Sequence, residues 1–182
     1  MNPKKLDFKT IPTMKNWGIN GTDLEINKFS VDCFLDLYSL DFNPPFQREK
    51  VWSVGQKTRF IESILKGVTM PSIIINVPTD TRTGTVIDGK QRLTTIIDFV
   101  NDEVDVFGGY KYSEIDNLPK QTVFIQFTRF ETMNECTELY LALIYGQTAH
   151  TQDEIEKAEN YYRKQNDKST SKTVGTSTVV DI

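Results

Sequence analysis

Five consecutive residues, at positions 88–92, combine the residue types that phosphate chemistry requires. Asp88 follows a short β-branched stretch, and the apolar spacing after Gly89 predicts a helix that begins near Gln91. A helix N-terminus offers unpaired N–H groups and a partial positive charge, and glycine lets a phosphate approach the backbone. The planar guanidinium group of Arg92 can bind phosphate oxygens through two N–H groups. Asp88 can hold Mg²⁺ or orient a water molecule. The segment therefore predicts a phosphate site where a strand meets a helix.

The same five residues also have a purely structural interpretation. Asp-Gly before a helix is often only a turn, in which Asp88 caps the helix. An arginine in a first helical turn opposes the dipole, so Arg92 is mildly unfavourable there unless an anion balances it. Residues 84–90 fit the first seven places of a P-loop, but Gln91 stands where Ser or Thr should ligate Mg²⁺, and 85–87 is predicted to be a strand. We therefore reject a P-loop NTPase and keep both the phosphate site and the simple turn.

A second candidate segment lies at 43–53, where two prolines stiffen the entry into a loop. Gln47 and Arg48 offer planar hydrogen-bonding groups there, and Phe46 and Trp52 flank them. The alternative is a packed loop in which Trp52 anchors the following helix.

A third candidate segment, 146–151, precedes a helix with a capping-box sequence. Gly146 opens it, Thr148 adds a hydroxyl, and His150 could donate to a phosphate or act as a general base. The alternative is that this single histidine only packs or caps.

Composition narrows the possible classes of protein. The chain has 182 residues, which fits one domain, with a net charge of -4 and a pI of about 5.1. Proteins that bind duplex DNA usually have a basic balance, so DNA contact is expected only weakly, from a local patch or through a partner. Two distant cysteines and one histidine argue against a zinc site. No apolar run reaches 18 residues and no signal-peptide core is present, which predicts a cytoplasmic protein without a membrane partner.

The hydrophobic periodicity predicts an α+β domain. Helices are predicted to begin at Ser30, at the Ser53 capping box and near Gln91, and to span 131–144 and 151–165. Strands are predicted around 24–26, at 72–77 and 85–87 as a hairpin, and at 121–127. The predicted organisation is an extended arm at 1–21, a domain at 22–166 and a flexible tail at 167–182.

Taken together, five segments in this order resemble the DUF262 family. They read PPFQREKVW, FIESILKG, MPSIII, VIDGKQRLTTIIDF and YGQTAHTQDEIEKA, within a resemblance that covers roughly residues 22–160. The family comprises N-terminal domains of GmrSD-type and SspE-type defence proteins. The resemblance implies a ParB/sulfiredoxin-like fold with a small mixed sheet and surrounding helices.

The resemblance also implies a domain that binds and often hydrolyses a nucleoside triphosphate with Mg²⁺. The family motif is Asp-Gly-Gln-Gln-Arg, and here Lys90 replaces the first Gln. The implied catalytic residues are Asp88, Gln91 and Arg92, with Asp88 also the metal ligand. The implied nucleotide-binding residues are Gln47, Arg48, Gly89, Lys90, Gly146, Thr148 and His150. In the third segment the family carries Asn-x-Gly-Gly, whereas this chain has Ile144 in place of the Asn and keeps only the first Gly.

Three functions follow from these patterns. The leading hypothesis is an NTP-hydrolysing switch in DNA-targeted restriction, phage defence or counter-defence, working with a defence-system partner or as a homodimer. The second is a Mg²⁺-dependent DNA nickase, which the acidic charge and the lack of a second carboxylate cluster disfavour. The third is a non-catalytic protein that binds and inhibits a defence complex. Because one histidine cannot build an HNH nuclease centre, a stand-alone or truncated sensor module is expected.

Overall fold

A computed structural model describes residues 20–47, 51–146 and 152–172. Its regular elements are β1 Asn20–Glu25, α1 Lys28–Leu37, β2 Ser39–Asp41, α2 Val54–Leu65, β3 Ile73–Asn76, β4 Thr83–Asp88, α3 Lys90–Val100, a 3₁₀ turn Tyr112–Glu114, β5 Thr122–Thr128, α4 Met133–Tyr145 and α5 Gln152–Lys172. The α+β prediction is therefore confirmed.

The described strands form one mixed sheet in the order β1-β5-β3-β4-β2. β1 pairs antiparallel with β5, and β5 pairs parallel with β3. β3 and β4 form the predicted antiparallel hairpin, and β4 also pairs parallel with the short β2. Asp88 ends β4, which has a neighbour on each side, and α3 leaves at once from its carboxyl end. The predicted strand-to-helix junction at the candidate site is confirmed.

Both faces of the central strands are covered, which explains why β3 is apolar without alternation. Ile73 and Ile75 pack into a large core with α1, α2 and α3, whereas Ile74 packs into a second core with α4 and α5. In β4, Val86 and Ile87 divide between the two cores in the same way. Full burial of such a side chain stabilises the fold by about 1.5–3 kcal/mol. The end of β4 is therefore held firmly between two packed layers.

Two local features differ from the sequence-based expectation. α1 begins at Lys28 rather than after Ser30, because the Asn27 side chain caps it and accepts a hydrogen bond of 2.8 Å from the Ser30 N–H. β2 was not predicted, since three residues carry no readable alternation, and its parallel pairing with β4 depends on tertiary contact.

The ends of the domain differ from the predicted boundaries by a few residues. β1 begins at Asn20, inside the predicted arm, of which residues 1–19 lie outside the described residues. α5 continues to Lys172, beyond the predicted end at Gln165, and no Gly or Pro interrupts it. The predicted capping box at Thr151 and residues 173–182 of the predicted tail lie outside the described residues.

Candidate functional site

The first turn of α3 has no side-chain cap. Its N-cap is Gly89, with φ 87° in the left-handed region, and the first intrahelical bond runs from the Leu93 N–H to the Gly89 carbonyl at 2.9 Å. By contrast, Asn27 caps α1 and Thr132 caps α4. The N–H groups in the first turn of a helix have no intrahelical acceptor. This turn therefore presents backbone donors and the positive end of the helix dipole.

Glycine is required at position 89 for two reasons. A side chain would be strained at this positive φ. A Cβ atom would also lie 2.9 Å from the Ile73 Cγ1 atom and 3.1 Å from a guanidinium nitrogen of Arg92. The turn between β4 and α3 is thus packed against β3 without room for a methyl group.

Arg92 already has partners within the chain. Its guanidinium donates to the Asp88 carboxylate at 2.8 Å and to the Pro71 carbonyl at 2.7 Å, and its side chain is only 13% exposed. The Asp88 carboxylate is therefore the anion that compensates for the unfavourable interaction of Arg92 with the positive end of the helix dipole. The interpretation of Asp88 as the helix cap is wrong, because Gly89 occupies the cap position and Asp88 pairs with Arg92.

The other two motif side chains are held by the segment before α2. Gln91 accepts a hydrogen bond of 2.9 Å from the Trp52 N–H through Oε1, which leaves its amide nitrogen for other acceptors. Lys90 donates from Nζ to the Asn43 side-chain oxygen at 2.6 Å, and an ammonium group has three donors. Both side chains are thus oriented while keeping donors for a ligand.

Gln47 is buried and fixed from two directions. Its amide nitrogen donates to the Val86 and Ile87 carbonyls at 2.6 and 2.7 Å, which ties the loop to the end of β4. Its backbone carbonyl accepts from Lys157 Nζ of α5 at 3.0 Å. Gln47 therefore forms a rigid wall rather than a mobile contact.

These groups surround one cavity of about 150 Å³. Its lining consists of Gln47, Trp52, Ile87, Asp88, Gly89, Lys90, Gln91, Arg92 and Tyr140. Within the part of the lining that the structure describes, two cationic side chains and one carboxylate give a formal charge of +1, although the whole chain carries -4. The cavity is therefore suited to an anion, with most donors on the side of α3.

Sequence comparison assigns the family. The model of the GmrSD restriction endonuclease N-terminal domain matches residues 32–178.

The chain belongs to the GmrSD N-terminal domain family.

The match confirms the predicted family resemblance and links this GmrSD domain to restriction and phage defence. The domain matches no curated protein and no solved structure at a significant level. The ParB/sulfiredoxin-like assignment, nucleotide binding and hydrolysis therefore stay predictions. Within the described ranges, no helix of the GmrSD domain has the length and hydropathy needed to cross a bilayer.

The structure of the GmrSD domain brings six predicted site residues to the cavity. These are Gln47, Asp88, Gly89, Lys90, Gln91 and Arg92. Gly146 is not among the lining residues; it is exposed at the end of α4 with φ −79°. Arg48, Thr148 and His150 lie outside the described residues, so their predicted roles stay predictions.

Two contributors to the site were missed from the sequence. Tyr140 lines the cavity from α4, where it follows the apolar spacing that usually marks a core position. Lys157 reaches Gln47 across 110 residues of sequence, which no local pattern can reveal.

Asp88 fits a Mg²⁺ ligand only in company with a bound phosphate. Among the described side chains, no three His, Cys, Asp or Glu residues are grouped to hold a metal ion. Among the described residues that line the cavity, Asp88 is the one carboxylate, and Arg92 holds its Oδ2 atom. Mg²⁺ is often held by one or two carboxylates together with substrate phosphates and water, and this donor set suits that arrangement.

Proposed function

We propose that this GmrSD domain binds a nucleoside triphosphate through its phosphate chain, and acts as a nucleotide-dependent switch in restriction or phage defence. The observation that carries the proposal is the uncapped N-terminus of α3, which opens on a cavity lined by Lys90, Gln91 and Arg92. Backbone donors, a helix dipole and a cation such as the Lys90 ammonium group are the groups that bind phosphates at such a junction.

Each lining side chain has a defined part in this proposal. Lys90 and the backbone N–H groups bind phosphate oxygens, and the free amide nitrogen of Gln91 adds a neutral donor. Arg92 orients Asp88, because it holds one carboxylate oxygen and leaves the other, Oδ1, without a partner among the described residues. In this proposal, that oxygen orients an attacking water. Mg²⁺, when bound, would neutralise charge on the phosphate chain.

The binding proposal is tested by thermal shift with each of four nucleoside triphosphates and Mg²⁺. At a ligand concentration of about 100 times Kd, binding stabilises the native state by about 2.7 kcal/mol. Lys90→Ala should weaken binding about ten- to a hundredfold, because a charged hydrogen bond contributes about 1.5–3 kcal/mol.

Lys66→Ala is the matched control for Lys90→Ala. Lys66 also makes one polar side-chain contact, with Glu62 at 3.6 Å, but it lies at the end of α2 and does not line the cavity. No shift with any of the four nucleotides, or equal loss in both lysine variants, would contradict the proposed site.

A second candidate, nucleotide binding without turnover, is favoured by the pairing of Asp88. The carboxylate that must serve water or metal is already engaged by Arg92. Measurement of phosphate release separates the two candidates. Turnover that Asp88→Asn abolishes, with affinity retained, supports the hydrolytic switch. A parent protein that binds nucleotide and releases no phosphate supports the non-catalytic sensor.

A further inference from the structure

Trp52 contributes an aromatic side chain to the lining of the cavity, whereas the residues of the α3 turn contribute polar donors. Its backbone N–H is fixed by Gln91 at 2.9 Å, and its ring meets Phe60 edge-on, with centroids 5.0 Å apart and an interplanar angle of 63°. The side chain is only partly buried, and it packs against the larger core. One aromatic surface is thus held in place beside the α3 N-terminus.

The size of the cavity restricts what can enter it. Pockets that bind drug-sized ligands usually measure about 300–1,000 Å³, so a space of about 150 Å³ accommodates part of a nucleotide and not all of it. If the phosphates take the donors of α3, the sugar and base must lie at the mouth. The flat face of a base at the mouth would need an exposed aromatic or apolar side chain to contact.

Among the described residues that line the cavity, Trp52 is the aromatic residue whose side chain is partly exposed. Tyr140 is buried and its ring packs against Phe46 at 5.2 Å. Val51 precedes Trp52 and Val54 follows it by two residues, and the two valines are 66% and 76% exposed.

We propose that Trp52 is the stacking surface for the base, so that the ligand of this cavity is recognised as a nucleotide and not as a polyphosphate. This inference rests on the proposed function. Stacking on an indole ring tolerates every base, since each has a π-face. The contact therefore adds affinity without selecting one base, and Gln91 couples its position to the phosphate-binding turn.

The test compares ATP and CTP with inorganic triphosphate, which lacks a base, on the full chain. Trp52→Leu should lower the affinity for both nucleotides about tenfold and leave triphosphate affinity within about twofold. Trp52→Phe keeps a smaller ring, so its loss should be about threefold. The ratio of nucleotide affinity to triphosphate affinity is measured for each variant separately. Partial destabilisation of Trp52→Leu lowers both affinities equally, so it does not change this ratio.

Fluorescence gives an independent readout. With Trp17 replaced by Phe, Trp52 is the remaining tryptophan, and nucleotides should quench it while triphosphate should not. Equal losses for nucleotides and triphosphate in Trp52→Leu, or no loss for either, would overturn the stacking role while the phosphate site stands. If the parent protein binds neither probe, the proposed function fails and this inference fails with it.

Discussion

Replacement of Arg92 by alanine should destabilise the fold as well as the site. The guanidinium links three segments: the end of β4 through Asp88, the loop before β3 through Pro71, and the first turn of α3. The alanine variant would lose both hydrogen bonds and leave the Asp88 carboxylate without its described partner.

The magnitude follows from the burial and the charge of this pair. Hydrogen bonds to charged groups contribute about 1.5–3 kcal/mol each, whereas exposed ion pairs contribute about 0.2–1 kcal/mol. Because Arg92 is 13% exposed and makes two such bonds, we expect a loss of about 3 kcal/mol in the free energy of unfolding. For a domain of this size, that corresponds to a decrease of about 6–12 °C in Tm.

Arg163→Ala provides a matched control. Arg163 also follows a carboxylate by four residues, pairing with Glu159 at 3.4 Å, but its side chain is 70% exposed. Its removal should cost about 0.5 kcal/mol or less. Urea unfolding followed by circular dichroism, with equal m values required, measures both variants.

Arg92→Lys refines the comparison. An ammonium group keeps the charge but cannot reach two acceptors with the geometry of a planar fork, so an intermediate loss is expected. A cost for Arg92→Ala no larger than for Arg163→Ala would falsify the linking role. Arg92 would then be available to a ligand, and its effect should appear only in nucleotide affinity.

Three further predictions concern other parts of the chain. Gly89→Ala should lower the free energy of unfolding by about 1–3 kcal/mol more than Gly67→Ala in urea titrations, since both have positive φ but only Gly89 lacks room for a methyl group. An aromatic disulfide reagent should modify exposed Cys33 quickly and Cys136 only after unfolding, because burial raises the pKa of Cys136 to about 12. The backbone N–H of Ser113, in the 3₁₀ turn, donates to the Asp102 carboxylate and lowers the pKa of Asp102. The stability that this contact contributes is therefore present above the ordinary pKa of an aspartate and is lost as pH falls through the lowered value. In melting experiments at several pH values, Asp102→Asn should reduce the decrease of Tm at acidic pH.

The elements that position the site were predictable because their signals are local. The Ser53 capping box appears as expected, with Gln56 accepting from the Ser53 N–H at 2.9 Å. The β-branched run in β3 and the Asp-Gly turn before α3 also follow from neighbouring residues. Local sequence patterns were therefore enough to predict the strands and helices that surround the cavity.

The contacts of the site side chains were not predictable in the same way. The spacing of Asp88 and Arg92 permits an i,i+4 pair, but Asp88 ends a strand, so only the folded turn shows that the two meet. Tyr140 and Lys157 come from helices that pack on the second face of the sheet. Which helix covers a sheet face depends on the topology, and periodicity alone does not determine it.

The position of β1 at the sheet edge has a consequence for synthesis on the ribosome. Its partner β5 lies about 100 residues later in the chain, and at about 5–20 residues per second it emerges some 5–20 seconds afterwards. During that interval β1 lacks the strand with which it pairs among the described elements. Most of its side chains are polar or absent, Asn20, Gly21, Thr22 and Asp23 among them, which makes it a poor template for wrong pairing between nascent chains. The polar character of β1 therefore lets it stay solvated and unpaired until β5 has been synthesised.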